Sequence, residues 1–267
     1  MIIDSHLHIS YSEGEKKSLF EARNELLESM KKFDINYSII IPDNVPNPKC
    51  ADMETMFKLI KNEKRFFSMG TINIFHNIGK QIFNLKTLII AKKICAIKLF
   101  PGHDPFYPTD KRCHFVYDLG IMYDIPVVFH TGANPNNYDC AKYNSPKHII
   151  EIAKRFKKLK IVISHFFWPK MEYCYELTKN FKNIYYDTSA MADPEVVEAT
   201  GGWKKIVQIL KKTVKIKPNS VIFGTDWPMC SVDKHIQLIK DLKLDKKREE
   251  NIFFHNAVNL YKLNVSR

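Results

Sequence analysis

Near the start of the chain, Asp4, His6 and His8 recur at every second position of Ile3-Asp4-Ser5-His6-Leu7-His8-Ile9. Residues two apart on a strand point to the same side. The spacing therefore predicts Ile3, Leu7 and Ile9 on one face and Asp4, His6 and His8 on the other. A carboxylate and two imidazoles turned inward together are costly to bury without a partner. A metal ion supplies one, and histidines at i and i+2 of a strand can converge on it. Later segments end in the same way. Val127-Val128-Phe129-His130 and Ile161-Val162-Ile163-Ser164-His165 each finish an apolar run with a histidine, and Phe223-Gly224-Thr225-Asp226 finishes another with an aspartate. One strand-end histidine is more often a hydrogen-bonded core residue than a ligand. Four histidines and an aspartate at four such ends make a metal site the stronger reading. Nitrogen and oxygen donors of this kind suit Zn²⁺ and also accept Mn²⁺, Fe²⁺ or Co²⁺.

Such residues need a scaffold that gathers strand ends. Eight short runs rich in β-branched and aromatic residues, at 2–9, 37–41, 66–73, 95–100, 126–131, 160–165, 183–189 and 220–226, alternate with stretches of helical spacing. Helix starts are marked by Asp52, Asp110 and Ser145-Pro146, the last an N-cap followed by proline in the first turn. His6 and Asp226 stand seven steps apart at roughly 31 residues per step, the length of one βα unit. Eight units of this kind predict an α/β fold, a (β/α)₈ TIM barrel forming a single domain over residues 1–267. No Gly-x-Gly-x-x-Gly follows any of the runs, which argues against a dinucleotide-binding open sheet. In a barrel the C-terminal strand ends carry the active site, and that is where these histidines and the aspartate fall.

The formal charge of +12 raises the question of nucleic acid. It comes from 35 lysines and only six arginines, spread along helical stretches such as Lys31-Lys32, Lys92-Lys93, Lys157-Lys158 and Lys211-Lys212. That distribution reads as a solvated helix surface, and a nucleic-acid-binding barrel is the weaker alternative. No run approaches ~18 apolar residues, so no membrane span is expected. Met1-Ile2-Ile3 leads straight into Asp4 without the pattern of a secretory signal. The six cysteines are scattered with no Cys-x-x-Cys, which predicts reduced thiols and a cytoplasmic protein.

Asp4-x-His6-x-His8 on the first strand, His130 on the fifth, His165 on the sixth and Asp226 on the eighth resemble the amidohydrolase superfamily. Ile2-Ile3-Asp4-Ser5-His6, Gly224-Thr225-Asp226-Trp227-Pro228 and Phe254-His255-Asn256-Ala257 are similar to its amidohydrolase-related branch, amidohydrolase 2. That branch contains small lactone and amide hydrolases and metal-dependent non-oxidative decarboxylases. The resemblance implies one divalent metal held by His6, His8, His130 and Asp226, with His165 as a further candidate ligand. It also implies Asp226 as general base toward a metal-activated water, and His165 orienting that water or stabilising oxyanion charge. Asp4 then supports the ligands from behind.

Lys98 is expected to face inward, opposite Ile97 and Leu99. Some superfamily members carboxylate a fourth-strand lysine to bridge two metals; a lysine that binds a substrate anion is the preferred reading. Related metal-dependent DNases are expected to carry glutamate there, which argues against a nuclease. Lys98, Trp168, Trp227 and Arg112 are candidate substrate-binding residues, within a wall that also draws on Tyr11, Phe100, Phe106 and Tyr107. The expected activity is hydrolysis of a small lactone, amide or ester. The alternative is decarboxylation of a small aromatic or enoic acid. The expected partner is a small molecule, in a chain free to form a homo-oligomer.

Overall fold

The structure is a computed structural model that describes residues 1–11, 15, 17–44, 49–134 and 138–265. Its strands are β1 (Ile3–Leu7), β2 (Tyr37–Ile40), β3 (Phe66–Ser68), β4 (Gly70–Thr71), β5 (Ile97–Leu99), β6 (Val127–Phe129), β7 (Ile161–Ile163), β8 (Ile184–Asp187) and β9 (Val221–Ile222). Between and after them lie α1 (Leu19–Lys32), α2 (Met53–Ile60), α3 (Ile78–Ile90), α4 (His114–Tyr123), α5 (Pro146–Arg155), α6 (Met171–Thr178), α7 (Pro194–Thr200), α8 (Trp203–Ile216), α9 (Val232–Asp241), α10 (Lys246–Glu250) and α11 (Asn256–Tyr261). The helix starts carry side-chain caps where the sequence marks them. Asp52 accepts from Thr55 N (2.8 Å), Asp110 from Arg112 N (2.9 Å) and Ser145 from Lys147 N (3.4 Å).

All strand pairings are parallel and follow chain order. β3 and β4 are two halves of one barrel strand, joined through Met69, whose N–H donates to Ile40 O while Gly70 N donates to Ala96 O. The ends meet where Ser5 N donates to Phe223 O (3.0 Å), Asp226 N to His6 O (2.8 Å) and His8 N to Trp227 O (2.9 Å). Nine strand segments thus make the eight staves of a closed (β/α)₈ TIM barrel. No helix among the described residues is long and apolar enough to cross a membrane.

Alternation along the staves sorts the core into two shells. Ile39, Val128, Val162 and Ile222 fill the interior together with Phe254, Ala257, Leu260 and Tyr261, the last three on α11. Ile97, Val127, Phe129, Ile161 and Ile163 face the surrounding helices. Each fully buried aliphatic side chain contributes about 1.5–3 kcal/mol relative to exposure. In β1 the simple alternation fails. Ile3 packs in the interior shell, whereas Leu7 and Ile9 pack outward with Ala22, Leu26 and Met30. The pairing explains this: Asp4 lies opposite Ser38 and Leu7 opposite Ile40, so β1 carries one extra residue between them. A one-residue bulge exchanges the faces of everything beyond it. Ile3 therefore does not share a face with Leu7 and Ile9 as the spacing predicts, while His6 and His8 still point inward at the top.

Candidate metal centre

The bulge delivers two imidazoles from β1 to the C-terminal mouth of the barrel. His8 Nδ1 lies 2.9 Å from Ile41 O. A carbonyl only accepts, so Nδ1 carries the proton and Nε2 offers a lone pair. That Nε2 and His6 Nε2 each lie 3.6 Å from Asp226 Oδ1. The donor atoms of His6, His8 and Asp226 all fall within 4.8 Å of one another. Asp226 reaches them across the closure seam from a left-handed backbone (φ 71°), fixed by its N–H to His6 O. The seam is tight at Gly224, where a Cβ would sit 2.8 Å from His6 Cβ.

Two buried atoms at this mouth, Asp226 Oδ1 and His130 Nε2, have no hydrogen-bond partner among the described residues. Leaving such groups unsatisfied costs about 1–3 kcal/mol each. Ligands about 2.1 Å from one tetrahedral ion stand about 3.4 Å apart, close to the two 3.6 Å separations. The donor set therefore fits a divalent cation held by His6, His8 and Asp226. His130 lies outside this trio. Its ring packs against His165 (centroids 4.9 Å) and His103 (4.2 Å) on the same cavity wall.

His165 follows β7 in a left-handed backbone (φ 56°) and donates its N–H to Asp187 Oδ1 (3.0 Å). Its Nδ1 is 2.9 Å from Ser189 Oγ, 3.4 Å from Ser189 O and 3.8 Å from Asp226 Oδ2. Asp4 stands behind the site, accepting from Thr225 N (3.0 Å), Thr225 Oγ1 (2.6 Å) and His6 N (3.3 Å). It ties β1 to the segment after β9 and is not among the three convergent donors.

Burial governs the protonation states. It pushes Asp226 up to about 7, helped by the charges of Asp187 and Asp4 and opposed by Lys98. It lowers His8 and His165 to about 3, with Lys98 adding to the effect, and holds His6 and His130 well below their ordinary value. Neutral imidazoles are the form that binds metal. Asp187 moves the other way. Burial opposes its ionisation, but the His6 and His165 rings, the His6 hydrogen bond and Lys98 together bring it below the usual carboxylate range. Lys98, fully buried on β5, donates to Ser164 Oγ (3.0 Å); burial lowers it to about 8 against the pull of Asp187 and Asp226.

These groups open onto a cavity of about 690 Å³ whose wall includes Tyr11, Lys98, Phe100, His103 and Trp168. Two expected substrate contacts lie elsewhere. Arg112 makes a two-point pair with Asp110 (2.7 and 3.0 Å) and rests on the Phe75 ring at 4.5 Å, outside the cavity. Trp227 is buried with Leu7, Ile9, Leu26 and Met30, away from the lining. Phe106 belongs to the helix-facing core, and Tyr107 packs at a tilt against Tyr143 and His148. Asp187, Ser189 and His103 are site residues beyond those that the sequence pattern alone singles out. Asp187 and Ser189 sit at the end of β8, the same strand-end signal that marks His130 and Asp226.

The closed parallel barrel and the side chains at its C-terminal mouth define the class: a TIM-barrel enzyme with a candidate metal centre. The chain belongs to the amidohydrolase family, whose model matches residues 85–263 and so includes His130, His165 and Asp226. Among solved structures it is similar to an uncharacterised TIM-barrel protein of Bordetella bronchiseptica (20% identity, 98% of each chain, TM-score 0.77). It is also similar to a probable 2-pyrone-4,6-dicarboxylic acid hydrolase of Acinetobacter baumannii with citric acid bound (15%, 98% of this chain and 99% of that one, 0.68). A third is a dihydroxybenzoic acid decarboxylase of Polaromonas sp. with bound manganese and the inhibitor 2-nitroresorcinol (15%, 99% and 98%, 0.69). No curated protein matches the chain.

Proposed function

We propose that the protein is a metal-dependent hydrolase of a small carbonyl compound, a lactone, amide or ester. The observation that carries this reading is the meeting of His6 Nε2, His8 Nε2 and Asp226 Oδ1, which has no hydrogen-bond partner among the described residues, at the cavity of about 690 Å³. His6, His8 and Asp226 would hold one divalent ion, with His130 as fourth ligand; Zn²⁺ suits these donors, and manganese in the Polaromonas relative supports Mn²⁺ as the alternative. Such an ion polarises a carbonyl and lowers the pKa of water toward about 7. Asp226, buried at the centre with its Oδ2 3.8 Å from His165 Nδ1, would take up the proton of the attacking water. His165, on the wall of the same cavity, would orient that water. Lys98 on the wall gives a substrate carboxylate its counter-charge. The six free cysteines support a cytoplasmic location.

Decarboxylation of a small aromatic or enoic acid is the second reading, favoured by the likeness to the Polaromonas decarboxylase and by the buried Lys98 cation beside the centre. The test is metal content per purified chain, followed by turnover of a panel of lactones, esters, amides and aromatic acids with product analysis. Hydrolysis products that vanish on chelation support the first reading. CO₂ release with no hydrolysis product selects the second, and no bound metal overturns both.

A further inference from the structure

We infer that Asp187 and Ser189 act together as a positioning pair that keeps the ring proton of both His6 and His165 on Nδ1, so that His165 presents a proton-accepting Nε2 to the cavity. This deepens the hydrolase reading by fixing the role of His165, and it rests on that reading only for its catalytic consequence.

Hydrogen-bond bookkeeping around Asp187 leads there. Oδ1 faces three donors: the backbone N–H groups of His165 (3.0 Å) and Ser189 (3.3 Å) and the Ser189 hydroxyl. Oδ2 lies 2.8 Å from His6 Nδ1. With its sides filled by donors, the carboxylate has no acceptor for a proton of its own and serves as an acceptor only. His6 Nδ1 must then be the N–H, which leaves the His6 Nε2 lone pair facing Asp226 Oδ1. A carboxylate behind a histidine fixes its tautomer and ring orientation in this way.

Ser189 carries the same constraint one residue further. A hydroxyl has one proton, and Asp187 Oδ1 takes it. Ser189 Oγ can then only accept, from His165 Nδ1 at 2.9 Å and, beside the shorter bond to Asp187, from His6 Nδ1 at 3.1 Å. An independent contact agrees: His165 Nδ1 also lies 3.4 Å from the Ser189 carbonyl, which never donates. Both neighbours of that nitrogen therefore call for an N–H, and Nε2 is left as the lone-pair atom. A histidine in this tautomer accepts a proton or orients water through one. It does not donate to an oxyanion. Asp187, Ser189, His6 and His165 are all buried, so water does not compete for these bonds.

The test is the tautomer itself, read in metal-free protein labelled with ¹⁵N-histidine by long-range ¹H–¹⁵N correlation near neutral pH. His6→Gln and His165→Gln assign the signals. Both rings should show the Nδ1–H pattern. Ser189→Ala should move His165 toward the Nε2–H form while His6 keeps its pattern, Ser189→Thr should restore His165, and Asp187→Asn should change both rings. Asp187→Asn should also weaken Zn²⁺ affinity, by ~10–100-fold in competition with a chelator. An Nε2–H pattern for His165 in the parent protein, or an unchanged pattern in Ser189→Ala, overturns the inference, and Ser189→Ala decides alone if Asp187→Asn does not fold. Because these readouts need no substrate, the tautomers can hold while the hydrolase reading fails, and the reverse.

Discussion

Asp226 Oδ1 lies 3.6 Å from His8 Nε2, and this buried oxygen has no hydrogen-bond partner among the described residues. With Asp226 ionised, these lone pairs repel unless a cation stands between them, and His6 Nε2 completes the same arrangement from the other side. Asp187 behind His6 and Ile41 O behind His8 keep both rings turned that way. The chain thus spends its hydrogen bonds on the far side of each ring and leaves the near side open.

Removing a convergent donor should therefore remove the metal. His8→Ala is expected to abolish stoichiometric metal binding and turnover together while the barrel remains folded. Metal analysis of the purified variant beside its circular dichroism spectrum checks this. Retained metal with retained activity would place the centre elsewhere.

Asp226 also makes a pH prediction for metal-free protein. Its folded pKa, about 7, lies above the ordinary aspartate value of about 3.9. The folded state then holds a proton that the unfolded chain has released, so this contribution is fully present below about 4 and is lost as pH rises through about 7. Asp226→Asn cannot lose it. In chelator, the stability of Asp226→Asn relative to the parent should rise between about pH 4 and pH 7 and then level off. Urea unfolding of both proteins across that range measures the difference, and a flat difference would contradict the burial argument.

Most of the barrel is legible in the chain because apolar runs and caps act locally: the eight runs recur as eight staves, and Asp52, Asp110 and Ser145 cap where expected. Inward placement of His6 and His8 follows from alternation near the strand end. The position of Ile3 does not, because a bulge depends on pairing with β2 and leaves no local mark. Arg112 lies outside the cavity for a similar reason. A loop guanidinium close to a strand end in sequence finds its nearest carboxylate, Asp110, two residues away. Asp187 and Ser189 carried the strand-end signal, but their role needs the fold, since Asp187 serves a residue 181 positions distant.

Arg112→Ala is accordingly expected to leave kcat/KM unchanged for any substrate the enzyme turns over. Its pair with Asp110 is partly exposed, and such pairs contribute little to stability. Steady-state kinetics and a thermal melt on the same preparation test both statements. A large rise in KM would return Arg112 to the substrate site.

Lys98→Met should separate binding from folding. The side chain is fully buried, so an apolar replacement of similar length removes a desolvated charge at little cost, and the melting temperature should hold or rise. For a substrate carrying a carboxylate, KM should rise at least tenfold, while a neutral ester of the same skeleton should be spared. If both substrates suffer equally, Lys98 acts on the centre through its field and not on the substrate anion.

Gly224→Ala probes the closure seam directly. The added Cβ would meet His6 Cβ at 2.8 Å, closer than the backbone of β1 and the β9 segment can accept without shifting. Overpacking of this kind costs about 1–3 kcal/mol. The shift must be taken up by His6 or by Asp226, which hydrogen-bonds to His6 O from two residues further on. The variant should therefore lose metal affinity out of proportion to its stability. Chelator competition set against urea unfolding separates the two effects, and a stability loss with full metal affinity would mean that the seam yields without moving the ligands.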